Sequence, residues 1–193
     1  MSEAKRNPSL EQLTDELKRT QHRRKYRSLL RGTVLAFSLI VLAAFCTSFF
    51  LVTVLVVQDS SMEPTLRNGD ILVASQNKTV GKGDIVAFYD NDHLLVKRLI
   101  AAEGDVVVIS PDGLVTINGI ALEEPYLSAK ALGDCDLIFP YTVPKDRYFV
   151  LGDERSVSLD SRHDEIGCIA PEQLVGRILF RIWPFRSISL LNR

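Results

Sequence analysis

Val-Val-Gln-Asp-Ser-Ser-Met-Glu-Pro-Thr-Leu, residues 56–66, is the stretch on which the organisation of this chain turns. A long apolar run stops there and a hydroxyl-rich turn begins. Upstream, residues 33–57 hold no charged side chain and are rich in Leu, Val, Phe and Ala. At about 1.5 Å rise per residue such a run crosses a hydrocarbon core of about 30 Å with some tilt. A cleaved export signal has a shorter apolar core, roughly 7–15 residues, followed by a small-residue cleavage site, and neither is evident. The pattern therefore predicts a retained transmembrane helix over 33–57. Downstream it changes to short apolar or alternating runs, with strands expected over 71–74, 84–89, 94–101, 105–110, 114–117, 147–151 and 175–182. Asn68-Gly69, Gly81-Lys82-Gly83, Pro111-Asp112-Gly113 and Asn118-Gly119 separate them, and Asp112-Gly113 lies where a hairpin is expected. The predicted fold class is mostly β: a single N-terminal transmembrane helix, then an antiparallel β domain, closed or coiled to manage its edges.

Charge is distributed unevenly. The whole chain has a formal net charge of −1, but residues 1–32 carry nine Lys or Arg against four Asp or Glu, which leaves the remainder acidic. That balance does not suggest a nucleic-acid binder. Ser9 with Gln12 fits a capping box, and Leu10, Leu13 and Leu17 follow at helical spacing. Seven basic residues and no acid then occupy 18–31, just before the apolar run. Such a flank predicts a cytoplasmic segment over 1–32 held against anionic lipid, with residues 58–193 outside the membrane. Cys46 lies in the apolar run; Cys135 and Cys168 lie in the β region, where one spaced pair fixes no connectivity. His22, His93 and His163 read as surface residues, and no spacing resembles a metal site.

The turn at 59–66 offers two nucleophiles, Ser60 and Ser61. A serine hydroxyl attacks only when a base takes its proton, and that base must be neutral at working pH. Lys97 qualifies if its surroundings depress a pKa ordinarily near about 10.4. It lies in Leu-Leu-Val-Lys-Arg-Leu-Ile, residues 94–100, which reads as a central strand. On that strand Lys97 shares a face with Leu95 and Leu99, and Arg98 points the other way. An edge-strand lysine facing water would show the same residue types.

Four stretches in order sharpen the assignment: Ser-Met-Glu-Pro-Thr-Leu (61–66), Gly-Asp-Ile-Val-Ala-Phe (83–88), Val-Lys-Arg-Leu-Ile (96–100) and Gly-Asp-Glu-Arg-Ser-Val-Ser-Leu-Asp-Ser-Arg (152–162). Together they resemble the boxes of the type I signal peptidases, membrane-bound serine proteases with a Ser-Lys dyad, over most of residues 51–186. The resemblance implies Ser61 as nucleophile and Lys97, 36 residues later, as general base. It implies Ser158 as the hydroxyl that orients the lysine, and Asp160 with Arg162 as a structural ion pair beside the site. Met62, Leu66, Leu95 and Val96, joined by Val57, would line shallow pockets for the small residues of an extended signal peptide. No metal or cofactor is implied. The implied partners are signal peptides of exported preproteins, membrane lipid and the neighbourhood of the secretion translocon, with no nucleic acid. The implied location is the plasma membrane, single-pass, with the catalytic domain extracytoplasmic. Trp183 and Phe185, near the closing strand, are expected in the core or at the membrane interface.

The sequence departs from that pattern in three places. Asp59 stands two residues before Ser61, where family members have Ser or Gly; a carboxylate cannot donate to an oxyanion, which leaves the Ser61 N–H as the donor. Glu154 replaces an Asn, and Ala101-Ala102-Glu103 replaces Gly-Leu-Pro. Two alternatives share these boxes: a specialised processor of a few precursors, and an impaired relative that binds or scaffolds. Asp59 favours the second, and retention of Ser61, Lys97 and Ser158 together favours an enzyme.

Overall fold

The computed structural model describes residues 26, 29–45 and 52–191, in two units divided between residues 48 and 49. In the first unit, residues 29–45 are helical with every side chain exposed. Among the described residues no helix is long and apolar enough to cross a membrane. The capping-box segment, Cys46, His22 and all of the basic run except Arg31 lie outside the described residues.

The expected transmembrane helix does not extend to residue 57. Val52–Val56 is the first strand, β1, and belongs to the second unit. Val52, Thr53, Val54 and Val56 are β-branched, and burial has a period of two, with Leu55 and Val57 inside and Val54 and Val56 exposed. An unbroken apolar run conceals that alternation, because both faces of the strand are hydrophobic.

The second unit is mostly β and antiparallel. After β1 come β2 (Ile71–Ser75), β3 (Ile85–Asp90), β4 (His93–Ala102), β5 (Val106–Ile109), β6 (Val115–Ile117), β7 (Ile120–Ala121), β8 (Tyr141–Thr142), β9 (Tyr148–Leu151), β10 (Leu174–Trp183) and β11 (Ser189–Leu190). The larger sheet runs β1-β2-β10-β3-β4-β9, with β11 on β10; the smaller runs β7-β6-β5-β8. The larger path is open, ending on β1 and β9, so closure does not remove its edges. All seven strands expected from the sequence are present within one residue at each end. Asp112-Gly113 lies in the β5–β6 hairpin, and Asn118-Gly119 joins β6 to β7 with φ of 53° and 80°, the left-handed pair that a tight two-residue hairpin requires.

Three hydrophobic clusters fix these elements. One gathers Leu55, Leu72, Ala74, Ile85, Ala87, Val96 and Ile178 from the larger sheet under Val57, Met62 and Leu66 of the segment after β1. A second holds Val86, Phe88, Leu99, Val150, Ile169 and Leu174, with Leu95 packed against it. The third, from Ile100, Phe149 and Leu151 to Val107, Ile109 and Val115, joins the two sheets. Met62 and Leu66 are fully buried, each such side chain contributing roughly 1.5–3 kcal/mol. That burial pins the turn carrying Ser61 to the sheet.

Candidate active site

Lys97 lies in the middle of β4, between β3 and β9, opposite Val86. Leu95 and Leu99 associate with the cluster that contains Val86, and Val96 with the one that contains Met62 and Leu66, so the alternation expected along the strand is present. The Lys97 side chain is 1% exposed, and its Nζ donates to Ser61 Oγ in a short hydrogen bond. Burial pushes the ammonium below its ordinary pKa; Asp59 opposes that most strongly, followed by Asp160, while Arg162 adds to the depression and Asp153 opposes it. Ser61 is buried and Ser60 is exposed, so only one of the adjacent serines reaches the amine.

The turn holding Ser61 is tied to the 152–162 segment. Glu154 N–H donates to Ser61 O (2.9 Å), and Thr65 Oγ1 donates to Asp153 Oδ2 (2.6 Å). Gly152 makes the approach possible: a Cβ there would stand 2.1 Å from Ser158 Oγ and 2.5 Å from Ser61 O. Asp160 and Arg162 are fully buried and paired two-fold, Nε to Oδ1 at 2.8 Å and Nη2 to Oδ2 at 2.9 Å. Burial alone would raise the Asp160 carboxyl, but the Arg162 guanidinium and the Gly152 N–H hold it below the usual carboxylate range. Arg162 also binds the Leu132, Arg155 and Ser158 carbonyls, so the ion pair braces the loop from several directions.

Asp59 does not turn away from this centre. Its Oδ1 accepts from both the Ser61 N–H (3.1 Å) and the Ser61 hydroxyl (2.8 Å), and its Oδ2 lies 3.9 Å from Lys97 Nζ. Ser158 Oγ is buried beside Gly152 and the Asp160 carboxylate, whose pKa it helps to lower, and it makes no hydrogen bond to Lys97. Of the residues expected to line substrate pockets, Val57, Met62, Leu66 and Val96 lie together in the first cluster, whereas Leu95 packs against the second.

A buried serine held by a buried amine with a depressed pKa, both on rigid backbone, is the apparatus of serine acyl transfer. The family model described as signal peptidase, peptidase S26, matches residues 30–183. The chain belongs to that family. It is 35% identical over 165 residues to signal peptidase IB of Staphylococcus aureus, covering 75% of this chain and 85% of that protein. It is 35% identical over 180 residues to signal peptidase I S of Bacillus subtilis, covering 87% and 96% respectively. A crystal structure of a signal peptidase I from Enterococcus faecalis matches at 30% identity, with a TM-score of 0.42 over 51% of this chain and 96% of that one. As a member of the signal peptidase family the chain is a serine peptidase, a hydrolase.

Several pairings that hold this peptidase site together escaped the sequence reading. Arg98, beside Lys97, is buried and pairs with Asp153 through Nε (2.8 Å) and Nη2 (2.6 Å), with its guanidinium 3.9 Å from the Tyr126 ring centre. Arg155 pairs with Glu124, which also accepts from Tyr126 Oη (3.1 Å), and Arg155 Nε donates to Gly152 O (3.1 Å). Two adjacent cations inside an apolar strand were the available signal, since buried charges demand partners. Nothing around Glu124 carried one. Cys135 and Cys168 are free thiols, both partly buried. His93 is exposed, and His163 is partly buried, its Nδ1 accepting from Asp160 N–H at 3.4 Å.

Proposed function

We propose that this chain removes N-terminal signal peptides from exported preproteins, cutting after small residues of the Ala-X-Ala type. The observation that carries the reading is the buried Lys97–Ser61 contact within a member of the signal peptidase family. Ser61 attacks the scissile carbonyl and gives its proton to neutral Lys97. Lys97 returns that proton to the leaving amine, and water, activated by the same amine, releases the acyl group. Asp160 and Arg162 hold the 152–162 loop, and Ser158, buried in that loop beside Asp160, would orient Lys97 when substrate is bound. Val96, with Val57, Met62 and Leu66, would shape the floor of the substrate cleft from beneath, and Leu95, half-buried on the other face of β4, would line it from the side of the second cluster. A shallow apolar cleft admits Ala and rejects larger side chains by clash.

The uncharged run upstream of β1 and its basic flank support a membrane anchor with a cytoplasmic N-terminus, the peptidase domain outside and the translocon nearby. Register supports lipid contact by the domain itself. Val54, Val73, Phe180 and Leu190 form one cross-strand row, and Val56, Ile71 and Trp183 the next, on the face opposite the buried Leu55 and Leu72. Trp183 and Phe185 are exposed and pack edge to face, 4.7 Å apart. The test is cleavage of a detergent-solubilised preprotein bearing an Ala-X-Ala site. Wild type and Ser60→Ala should cut it, and Ser61→Ala and Lys97→Ala should be silent. Cleavage that survives Ser61→Ala would sink the reading.

A further inference from the structure

Asp59 stands where an empty acceptor position is needed. An acyl intermediate requires an N–H aimed at the substrate oxygen, and the Ser61 N–H is engaged by Asp59 Oδ1 instead. The polarity of the hydrogen bonds is also opposite to the one catalysis needs. Lys97 donates to Ser61 Oγ, and the Ser61 hydroxyl donates to Asp59 rather than to Lys97. An ordinary side-chain turn accounts for the N–H contact alone, since Asp commonly caps the amide two residues on. It does not account for the second bond to Oγ or for the approach of Oδ2 to Nζ.

We propose that Asp59 is a positioning residue that latches the resting nucleophile, its carboxylate filling the oxyanion position and holding the Ser61 proton until the signal peptide displaces it. The proposal rests on the peptidase reading above. The Asp59 side chain is 48% exposed, so it can swing into solvent without opening the core. When it leaves, the scissile carbonyl oxygen takes the Ser61 N–H and the Ser61 proton turns to Lys97. No bond is made or broken in that exchange; one acceptor replaces another. Departure of the carboxylate also removes the strongest influence opposing the depressed Lys97 pKa, so the base becomes neutral as substrate arrives. The other charges facing Lys97 all come from the 152–162 segment: Asp153, held by Arg98, and Asp160 with Arg162. Those acids are locked in ion pairs, and Asp59 is the exposed one.

The test compares the full chain with Asp59→Gly and the near-isosteric Asp59→Asn in detergent. Three quantities are read against pH: kcat/KM on a soluble Ala-X-Ala peptide, the rate at which a small fluorophosphonate modifies Ser61, and the Lys97 titration by nitrogen-15 side-chain NMR. The latch predicts that Asp59→Gly gains about tenfold or more in kcat/KM and in fluorophosphonate rate, a part of the roughly 10²–10³-fold that one oxyanion donor supplies, since substrate already displaces the carboxylate in the wild type. Because removing an anion lowers the pKa of a neighbouring ammonium, the acid limb of both rates moves to lower pH. Asp59→Asn keeps an acceptor oxygen and loses the charge, so it lowers the Lys97 midpoint with a smaller rate gain. Equal or slower rates in Asp59→Gly at every pH, an unmoved Lys97 midpoint in Asp59→Asn, or a Ser61 inert to the fluorophosphonate in all three proteins would each overturn the latch. If the probe rate and midpoint move as expected while no protein cuts the peptide, the latch stands and the signal-peptide reading fails.

Discussion

Lys97 brings an amine to a place that disfavours its charge, and folding bears the cost. Its folded pKa lies below its unfolded one, so the unfolded chain binds more protons between those two values. Stability therefore rises with pH across that window, and the penalty is fully present below it. Lys97→Met, similar in volume and uncharged, should unfold at a higher temperature than wild type near neutrality, each kcal/mol gained reading as roughly 2–5 °C, with the gap closing in strong alkali. Differential scanning calorimetry over pH reads this directly, and a variant less stable than wild type at neutral pH would contradict it. Asp153 is the opposite case. Truncating it to Ala strands the buried Arg98 guanidinium and removes the Thr65 partner, at an expected cost of about 3–5 kcal/mol in chemical denaturation. The roles of Ser61 and Lys97 were legible in the sequence because spacing and residue type define them. The behaviour of Asp59 was not, because whether a carboxylate faces a nucleophile or solvent depends on one side-chain rotation that no sequence pattern records.

At the scale of elements, the site is a junction between two irregular segments held over β4, not a pocket within one of them. The 57–66 segment is pinned from below by Met62 and Leu66, and the 152–162 segment from within by the Asp160–Arg162 pair. Gly152 lies where they meet, and the Cβ of Gly152→Ala must displace Ser61 O and Ser158 Oγ. A displacement near 1 Å costs about 10²-fold in rate, so this variant should retain its fold by circular dichroism and lose about that factor in kcat. Met62→Ala should instead cost about 2–5 kcal/mol of stability, read as a lower denaturation midpoint. Seven of the eight strands longer than two residues were readable from periodicity and from the Gly-containing turns between them. The two-residue strands β7, β8 and β11 are too short to carry a period, and β1 was hidden because it continues an apolar run whose upstream part has a different structure.

Across the whole molecule, the exposed apolar rows of β1, β10 and β11 form one sheet face that water alone leaves uncovered. If lipid covers it, the paired substitutions Trp183→Ala and Phe185→Ala should reduce cleavage of a vesicle-embedded preprotein several-fold and leave cleavage of a soluble peptide in detergent unchanged. Equal losses in both assays would make the two rings structural rather than interfacial. The same part of the sheet has a mechanical property. β1 is joined to β2 by a ladder of five residue pairs from Val52↔Ser75 to Val56↔Ile71, continued by bonds between Val57 and Asp70 and between Gly69 and Val57. Tension applied to the chain along the strand loads those bonds together in shear instead of peeling them one at a time. The strand works as a strain relief: a pull on the upstream segment is taken up by the sheet before it reaches Ser61, four residues beyond the last anchored amide.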